Sequence, residues 1–87
     1  MKIQNMLSPR GNRVANQFVI DFGNKTALQS YETLVAVYDK NTATMYEDKE
    51  RYSPTTSKYI NLFKQWANAK EFFKVENQEL HEILMLK

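Results

Sequence analysis

The sequence predicts an α+β fold: a four- or five-stranded, mainly antiparallel sheet with one main helix packed on one face. Two observations predict this class. Residues 53–66 carry apolar side chains at the three- and four-residue spacing of an amphipathic helix. Residues 16–47 contain short β-rich runs separated by residues typical of turns. With 87 residues and 43% hydrophobic content, residues 1–87 are expected to form one small α+β domain.

The predicted strands follow one another through short connections. In chain order they comprise residues 1–7 (an edge strand or an arm), 16–22, 25–31, 34–39 and 42–47. Gly23-Asn24 has the composition of a two-residue hairpin turn. Residues 34–38 of the strand predicted over 34–39 are apolar, and plain alternation puts Leu34, Ala36 and Tyr38 on one face and Val35 and Val37 on the other. A strand that is apolar on both faces belongs in the centre of a sheet.

The helix over residues 53–66 has a defined start. Ser53 followed by Pro54 fits an N-cap with proline at the first helical position, although Thr55 or Thr56 could cap instead. Trp66 is the only tryptophan and is predicted to lie in the core. The predicted apolar face consists of Tyr59, Ile60, Phe63, Trp66 and Ala67.

The chain after Trp66 is more ambiguous. Asn68 could end the helix, and residues 69–76 could form a short second helix. Residues 80–86 fit either a helix with a stripe of Leu80, Ile83 and Leu84, or an alternating strand. We favour the strand, because it would return to the sheet and cover an open edge.

Composition narrows the classes of function. The chain has no cysteine and one histidine, His81, so thiolate metal sites are excluded and a histidine-dependent triad or zinc site would rest on one residue. We therefore expect no enzyme activity, no metal and no cofactor. No apolar run is long enough to span a bilayer, and residues 1–7 lack the apolar core of a signal peptide, so we expect no membrane partner.

Two segments could bind an anion such as a nucleic-acid phosphate. Arginines beside a glycine turn can grip phosphate, and asparagine or glutamine can read base edges. The alternative is an ordinary surface loop and an ordinary helix cap, and those ordinary roles explain the same residue types. The candidate anion or nucleic-acid residues are Arg10, Asn12, Arg13, Asn16 and Gln17 in the first segment, and Thr55, Thr56 and Lys58 at the helix start.

Acidic residues are concentrated in residues 32–50. Asp39, Glu47, Asp48 and Glu50 could face a basic groove of a partner, such as the nucleic-acid channel of a host enzyme. The alternative is a solvated hairpin and connector.

Four blocks of the sequence resemble a family of small uncharacterised bacteriophage and prophage proteins. They are the opening MKIQNM, GNRVANQF at residues 11–18, QSY at residues 29–31, and YSPTTSKY at residues 52–59 with its continuation to Phe63. The resemblance implies phage origin and action in the cytoplasm of a bacterial host. It implies no reaction.

Together these features predict a small phage-encoded accessory binding protein that inhibits a host macromolecule, with anti-defence activity such as CRISPR inhibition as the concrete candidate. Its partner would be a host protein or ribonucleoprotein. The alternative is a small nucleic-acid-binding phage regulator that uses Arg10, Arg13 and Lys58. A third reading is a homodimer formed through an open sheet edge.

Overall fold

The computed structural model describes residues 2–85 and has an α+β architecture in which a mixed sheet carries two helices. The six strands lie in the sheet in the same order as in the chain, so β1 and β6 form its two edges. The elements are β1 (Lys2–Leu7), β2 (Arg13–Asp21), β3 (Lys25–Ser30), β4 (Thr33–Asp39), β5 (Thr44–Asp48), α1 (Pro54–Ala67), β6 (Glu71–Val75) and α2 (Asn77–Met85).

Strands β1 to β5 form an antiparallel meander, as the short predicted connections indicate. The predicted turn at Gly23-Asn24 is confirmed: the backbone N–H of Phe22 donates to the carbonyl of Lys25 at 2.8 Å. Gly23 has a φ of +96°, and a positive φ at the first central position is typical of the type II′ hairpin turn. The edge-strand alternative for the start of the chain is also confirmed for residues 2–7.

Both predicted ends of α1 are confirmed. The Ser53 hydroxyl accepts a hydrogen bond from the backbone N–H of Thr56 at 3.3 Å, and Pro54 occupies the first helical position. Asn68 ends the helix in the left-handed conformation, with a φ of 52° and a ψ of 47°, and its N–H returns to the carbonyl of Lys64.

The predictions for the last third of the chain are wrong in three respects. Residues 71–75 form strand β6 where a helix was predicted, and residues 77–85 form helix α2 where a strand was favoured, with Leu86 outside the described residues. Residues 2–85 accordingly form six strands and two helices, where four or five strands and one main helix were expected. Strand β6 pairs in parallel with β5 after the α1 crossover, and this non-local pairing outweighs the weak local preference of a short segment.

A bulge in β4 supplies both faces of the sheet with core side chains. Leu28 pairs with Ala36 and the next residue, Gln29, pairs with Leu34, which leaves Val35 without a partner. The bulge puts Val35 and Ala36 in the same core cluster, so the predicted plain alternation in this strand is wrong. The cluster beneath α1 comprises Met6, Leu28, Val35, Ala36, Met45, Tyr59, Ile60 and Phe63. The cluster with α2 comprises Ala27, Leu34, Val37 and Leu80.

The two clusters lie on opposite faces of the sheet, because consecutive strand residues such as Ala27 and Leu28 point to opposite sides. Helix α1 therefore covers one face and α2 covers the other. The main sheet contacts of α1 are with β3, β4 and β5, and those of α2 are with β4 and β5. Strands β1 and β2 extend beyond this doubly covered centre.

A buried carboxylate joins the ends of several elements. Asp48, the last residue of β5, is 3% exposed. Its Oδ1 accepts the backbone N–H of Glu50 at 2.9 Å. Its Oδ2 accepts the Tyr52 hydroxyl at 2.5 Å and the Asn77 side-chain amide at 2.8 Å. The same Asn77 amide donates to the carbonyl of Leu34 at 2.8 Å, which fastens the start of α2 to β4.

This network sets the ionisation of its members. Burial on its own would raise the pKa of Asp48, but the hydrogen bonds from Tyr52, the Glu50 N–H and Asn77 outweigh it and lower that pKa below its ordinary value. Burial, and then the hydrogen bond to the Asp48 carboxylate, raise the pKa of the Tyr52 hydroxyl. Asp48 is thus held as a carboxylate and Tyr52 as its neutral donor.

Replacing Asp48 with alanine is expected to lower the free energy of unfolding by about 3 kcal/mol at neutral pH, because hydrogen bonds to charged groups contribute about 1.5–3 kcal/mol and three part-buried hydrogen bonds would lose their acceptor. Urea denaturation measures the change. The matched control is Glu50→Ala, at an exposed neighbouring carboxylate, with an expected change within about 0.5 kcal/mol.

The stability difference between wild type and Asp48→Ala should also depend on pH. A lowered pKa means that the contribution of Asp48 is complete above its ordinary value of 3.8 and is lost as the pH falls through the folded-state value. The difference should therefore shrink below about pH 4. A difference that stayed constant on acidification would contradict the assignment of Asp48 as a buried carboxylate.

Candidate functional site

An apolar groove lies between α1 and the β1 edge of the sheet, with a volume of about 270 Å³. Helix α1 forms one wall, and β1 with the following Ser8-Pro9 segment forms the other. Its lining contains no charged side chain. The apolar lining residues are Met6, Leu7, Val19, Leu62, Phe63 and Trp66. We call this feature the Trp66 groove.

Trp66 is 60% exposed, so its predicted place in the core is wrong. Phe63, one turn earlier on the same stripe, is fully buried and holds the core position. The Trp66 ring stacks on the Phe63 ring with the two centroids 5.7 Å apart, and it lines the groove. The helical spacing identifies the inward face correctly, but it carries no information on where the sheet beneath that face ends.

The loop between β1 and β2 places positive charge next to the groove. Its turn is closed by the Gly11 N–H donating to the Ser8 carbonyl at 2.8 Å, with Gly11 at a φ of +82°. Arg10 and Arg13 are exposed, and within residues 2–85 neither forms an ion pair. The first twenty residues contain no aspartate or glutamate, so no acidic side chain of this segment offsets the two arginines.

The structure brings part of the two predicted anion-binding segments together. Gln17 pairs in register with Ser30, whose hydroxyl shares a hydrogen bond of 3.0 Å with that of Thr56 at the start of α1. The carbonyl of Asn16 accepts the N–H of Tyr31 at 2.6 Å. Asn16 and Gln17 therefore lie beside the helix start.

Much of this junction is interior. Gln17 is 1% exposed and Thr56 is also buried, and the Gln17 Oε1 has no hydrogen-bond partner among the described residues. The surface members of the predicted sets are Asn16, Thr55 and Lys58 at this junction, and Arg10, Asn12 and Arg13 towards the β1–β2 loop. No hydrogen bond or ion pair among residues 2–85 links the second group to the helix start.

The predicted acidic set divides in a similar way. Glu47 pairs with Lys64 at 3.0 Å, and Asp48 is the buried joint described above. Asp39 accepts the backbone N–H of Asn41 at 3.0 Å, which is a turn-closing role. Glu50 alone of the four is fully at the surface. The set is therefore not one continuous acidic face.

Sequence reasoning missed the contribution of β1 to the groove. Ile3 and Leu7 are among the exposed large hydrophobic residues, at 60% and 54%. The available signal was a short opening segment that contains three large apolar residues, Ile3, Met6 and Leu7, on a potential edge strand. Exposed apolar residues on a potential edge strand indicate an interaction surface more directly than charge clusters do.

The fold defines a small α+β protein with an apolar groove at one edge of its sheet. Residues 1–80 match the model of a family of unknown function, DUF8033, and the chain belongs to that family. Neither the comparison with curated proteins nor the comparison with solved structures found a match. Within residues 2–85, no helix is long and apolar enough to cross a membrane. The same residues contain no group of three acidic or histidine side chains that could hold a metal ion.

The two aromatic residues of the groove should differ sharply in their effect on stability. Phe63→Ala removes a fully buried ring and is expected to lower the free energy of unfolding by about 3–5 kcal/mol. Trp66→Ala removes an exposed ring and its stacking contact, and should cost only about 1 kcal/mol. Urea denaturation of the two variants measures both values, and equal losses would show that Trp66 is a core residue in solution.

Proposed function

We propose that this protein is a non-catalytic binding protein whose Trp66 groove engages a partner protein. The observation that carries the proposal is a largely exposed tryptophan over an uncharged apolar groove at a sheet edge. Tryptophan is enriched among the residues that dominate binding free energy, since a large rigid ring buries much area with little loss of side-chain entropy. The matching occupant is an apolar side chain of the partner, with acidic neighbours facing Arg10 and Arg13.

The proposed biological role is that of a phage accessory protein that inhibits a host macromolecule in the bacterial cytoplasm. Its support is the resemblance of the sequence blocks to small phage proteins, together with the small size of the chain. Inhibition by occupying a surface needs no catalytic group, and CRISPR inhibition is its concrete candidate form. The family match to DUF8033 names no activity.

Trp66→Ser is expected to abolish capture of the partner while the protein stays folded. The tagged wild-type protein is incubated with lysate of a bacterial host, and captured proteins are identified by mass spectrometry. For a partner recovered by wild type, the dissociation constant should rise about 30-fold or more in the variant, the size expected for a dominant interface residue.

The matched control is Met85→Ser, which removes the large apolar side chain that is most exposed among residues 2–85, at the end of α2 and away from the groove. It should bind as wild type does. Equal loss of binding in both variants would indicate non-specific hydrophobic capture. Equal retention of binding in both would remove the groove from the proposal.

A second candidate function is a small nucleic-acid-binding regulator. The observation that favours it is the pair of exposed arginines, Arg10 and Arg13, in a segment without acidic residues. Asn12 lies between them, and Lys58 and Thr55 are exposed at the start of α1. Contacts of this kind would bind phosphate through charge, so the affinity would fall steeply with salt.

Under this second function, Arg10→Ala/Arg13→Ala should weaken binding to duplex DNA and make the logarithmic salt slope shallower by about 1.8, since each phosphate contact contributes about 0.9. Fluorescence anisotropy at low and moderate salt measures both quantities. The charge-matched control is Lys70→Ala/Lys74→Ala, two exposed lysines at the β6 edge. Absence of binding at low salt, or a slope that the arginine variant leaves unchanged, would eliminate this function.

A further inference from the structure

Strand β1 is an open edge of the sheet. It is terminal in the strand order, and it contains no proline and no charged residue between Ile3 and Leu7. Natural proteins commonly protect such edges with charge or proline, because unpaired backbone groups can pair with another chain. The opposite edge, β6, carries Glu71 and Lys74. Of the two edges, β1 is the one suited to accept another strand.

Two depressions flank β1. Met6 faces the Trp66 groove on the α1 side. Ile3, which pairs with Ile20, points to the opposite face and lines a second depression of about 340 Å³, whose other lining side chains, apart from Leu7, are polar or charged and include Arg13. Leu7 lines both depressions. A strand placed beside β1 would therefore project its alternate side chains into two different depressions. This arrangement is typical of strand addition, in which backbone pairing gives affinity and pockets for alternate side chains give specificity.

The charge around β1 selects the chemistry of the occupant. Lys2 stands at one end of the strand, and Arg10 and Arg13 lie at the other. Asp21, the acidic residue opposite Lys2, is bound to Lys40 at 3.1 Å. A second copy of β1 in antiparallel alignment would bring its own Lys2 towards Arg10, and like charges would repel. An acidic segment has the complementary charge.

We propose that β1 accepts an extended, acidic segment of a partner protein as an additional strand, with apolar side chains in the Trp66 groove, polar side chains in the second depression, and carboxylates beside Arg10 and Arg13. This inference rests on the proposed binding function and adds to it the class of ligand and the mode of binding. The occupant is a peptide segment with alternating apolar residues and acidic ends.

Selection from a displayed library identifies such a ligand without knowledge of the natural partner. Random peptides of about eight residues would span the six residues of β1. Selection on the wild-type protein should enrich sequences with apolar residues at every second position and aspartate or glutamate near an end. Enrichment of basic or non-alternating sequences, or no enrichment over Trp66→Ser, would overturn the inference.

Amide hydrogen exchange then tests the mode of binding with the selected peptide. Exchange at the β1 amides that point out of the sheet should slow in the complex, because the added strand supplies acceptors for them. Perturbation at Trp66 without new protection in Lys2–Leu7 would overturn strand addition while leaving the proposed groove binding intact.

Charge-reversal variants test the electrostatic part. Arg10→Glu/Arg13→Glu should raise the dissociation constant of the selected peptide at least about tenfold at low salt. The effect should diminish as salt is added. Lys70→Glu/Lys74→Glu is the control at the opposite edge and should bind unchanged. Equal effects of both variants would show that peptide binding depends on the net charge of the protein and not on the position of Arg10 and Arg13. Sedimentation showing a tight dimer that peptide cannot dissociate would assign β1 to a second copy and overturn the inference.

Discussion

The buried Asp48 carboxylate is the constraint on which the arrangement of the two helices depends. A charge that is 3% exposed requires hydrogen-bond donors, and all its donors come from junctions: the Glu50 N–H, the Tyr52 hydroxyl and the Asn77 amide. The first two direct the chain out of β5 towards α1. The third fastens the start of α2, just after β6, to the same point. One charged group thus fixes where the chain leaves the sheet for each face.

Coverage of the sheet follows from this arrangement. The helices have their main contacts with β3, β4 and β5, while six strands are present. The bulge at Val35 lets β4 supply core side chains to both faces, and this makes the centre of the sheet the best-buried part of the molecule. Strand β1 lies at the margin of the face that α1 covers, where Met6 joins the core, and the Trp66 groove is the space between α1 and this edge. The groove and the open edge are therefore consequences of the same geometry.

The sequence predicts what depends on local chemistry. Ser53, Pro54 and Asn68 define both ends of α1, and Gly23 defines a hairpin, because capping and turns require only neighbouring residues. It fails for β6 and α2, where pairing with β5 and the Asn77 contact to Asp48 decide the structure. The predictions for the candidate site also agree with the structure only in part. Arg10 and Arg13 are exposed as expected, whereas Asp48 is interior and the apolar groove became apparent only once β1 and α1 were placed side by side.

The exposed apolar residues of this edge need an explanation beyond folding. Ile3, Leu7 and Trp66 add little to the core, and an unprotected strand with apolar side chains is an aggregation hazard. The core itself is complete without them, since Phe63 and Leu28 fill the space beneath α1. Lys2, Arg10 and Arg13 at the ends of the strand lessen the hazard by repelling other copies of the same edge. An edge that repels its own copies and leaves its backbone and pockets open supports the proposal that a partner of opposite charge binds there.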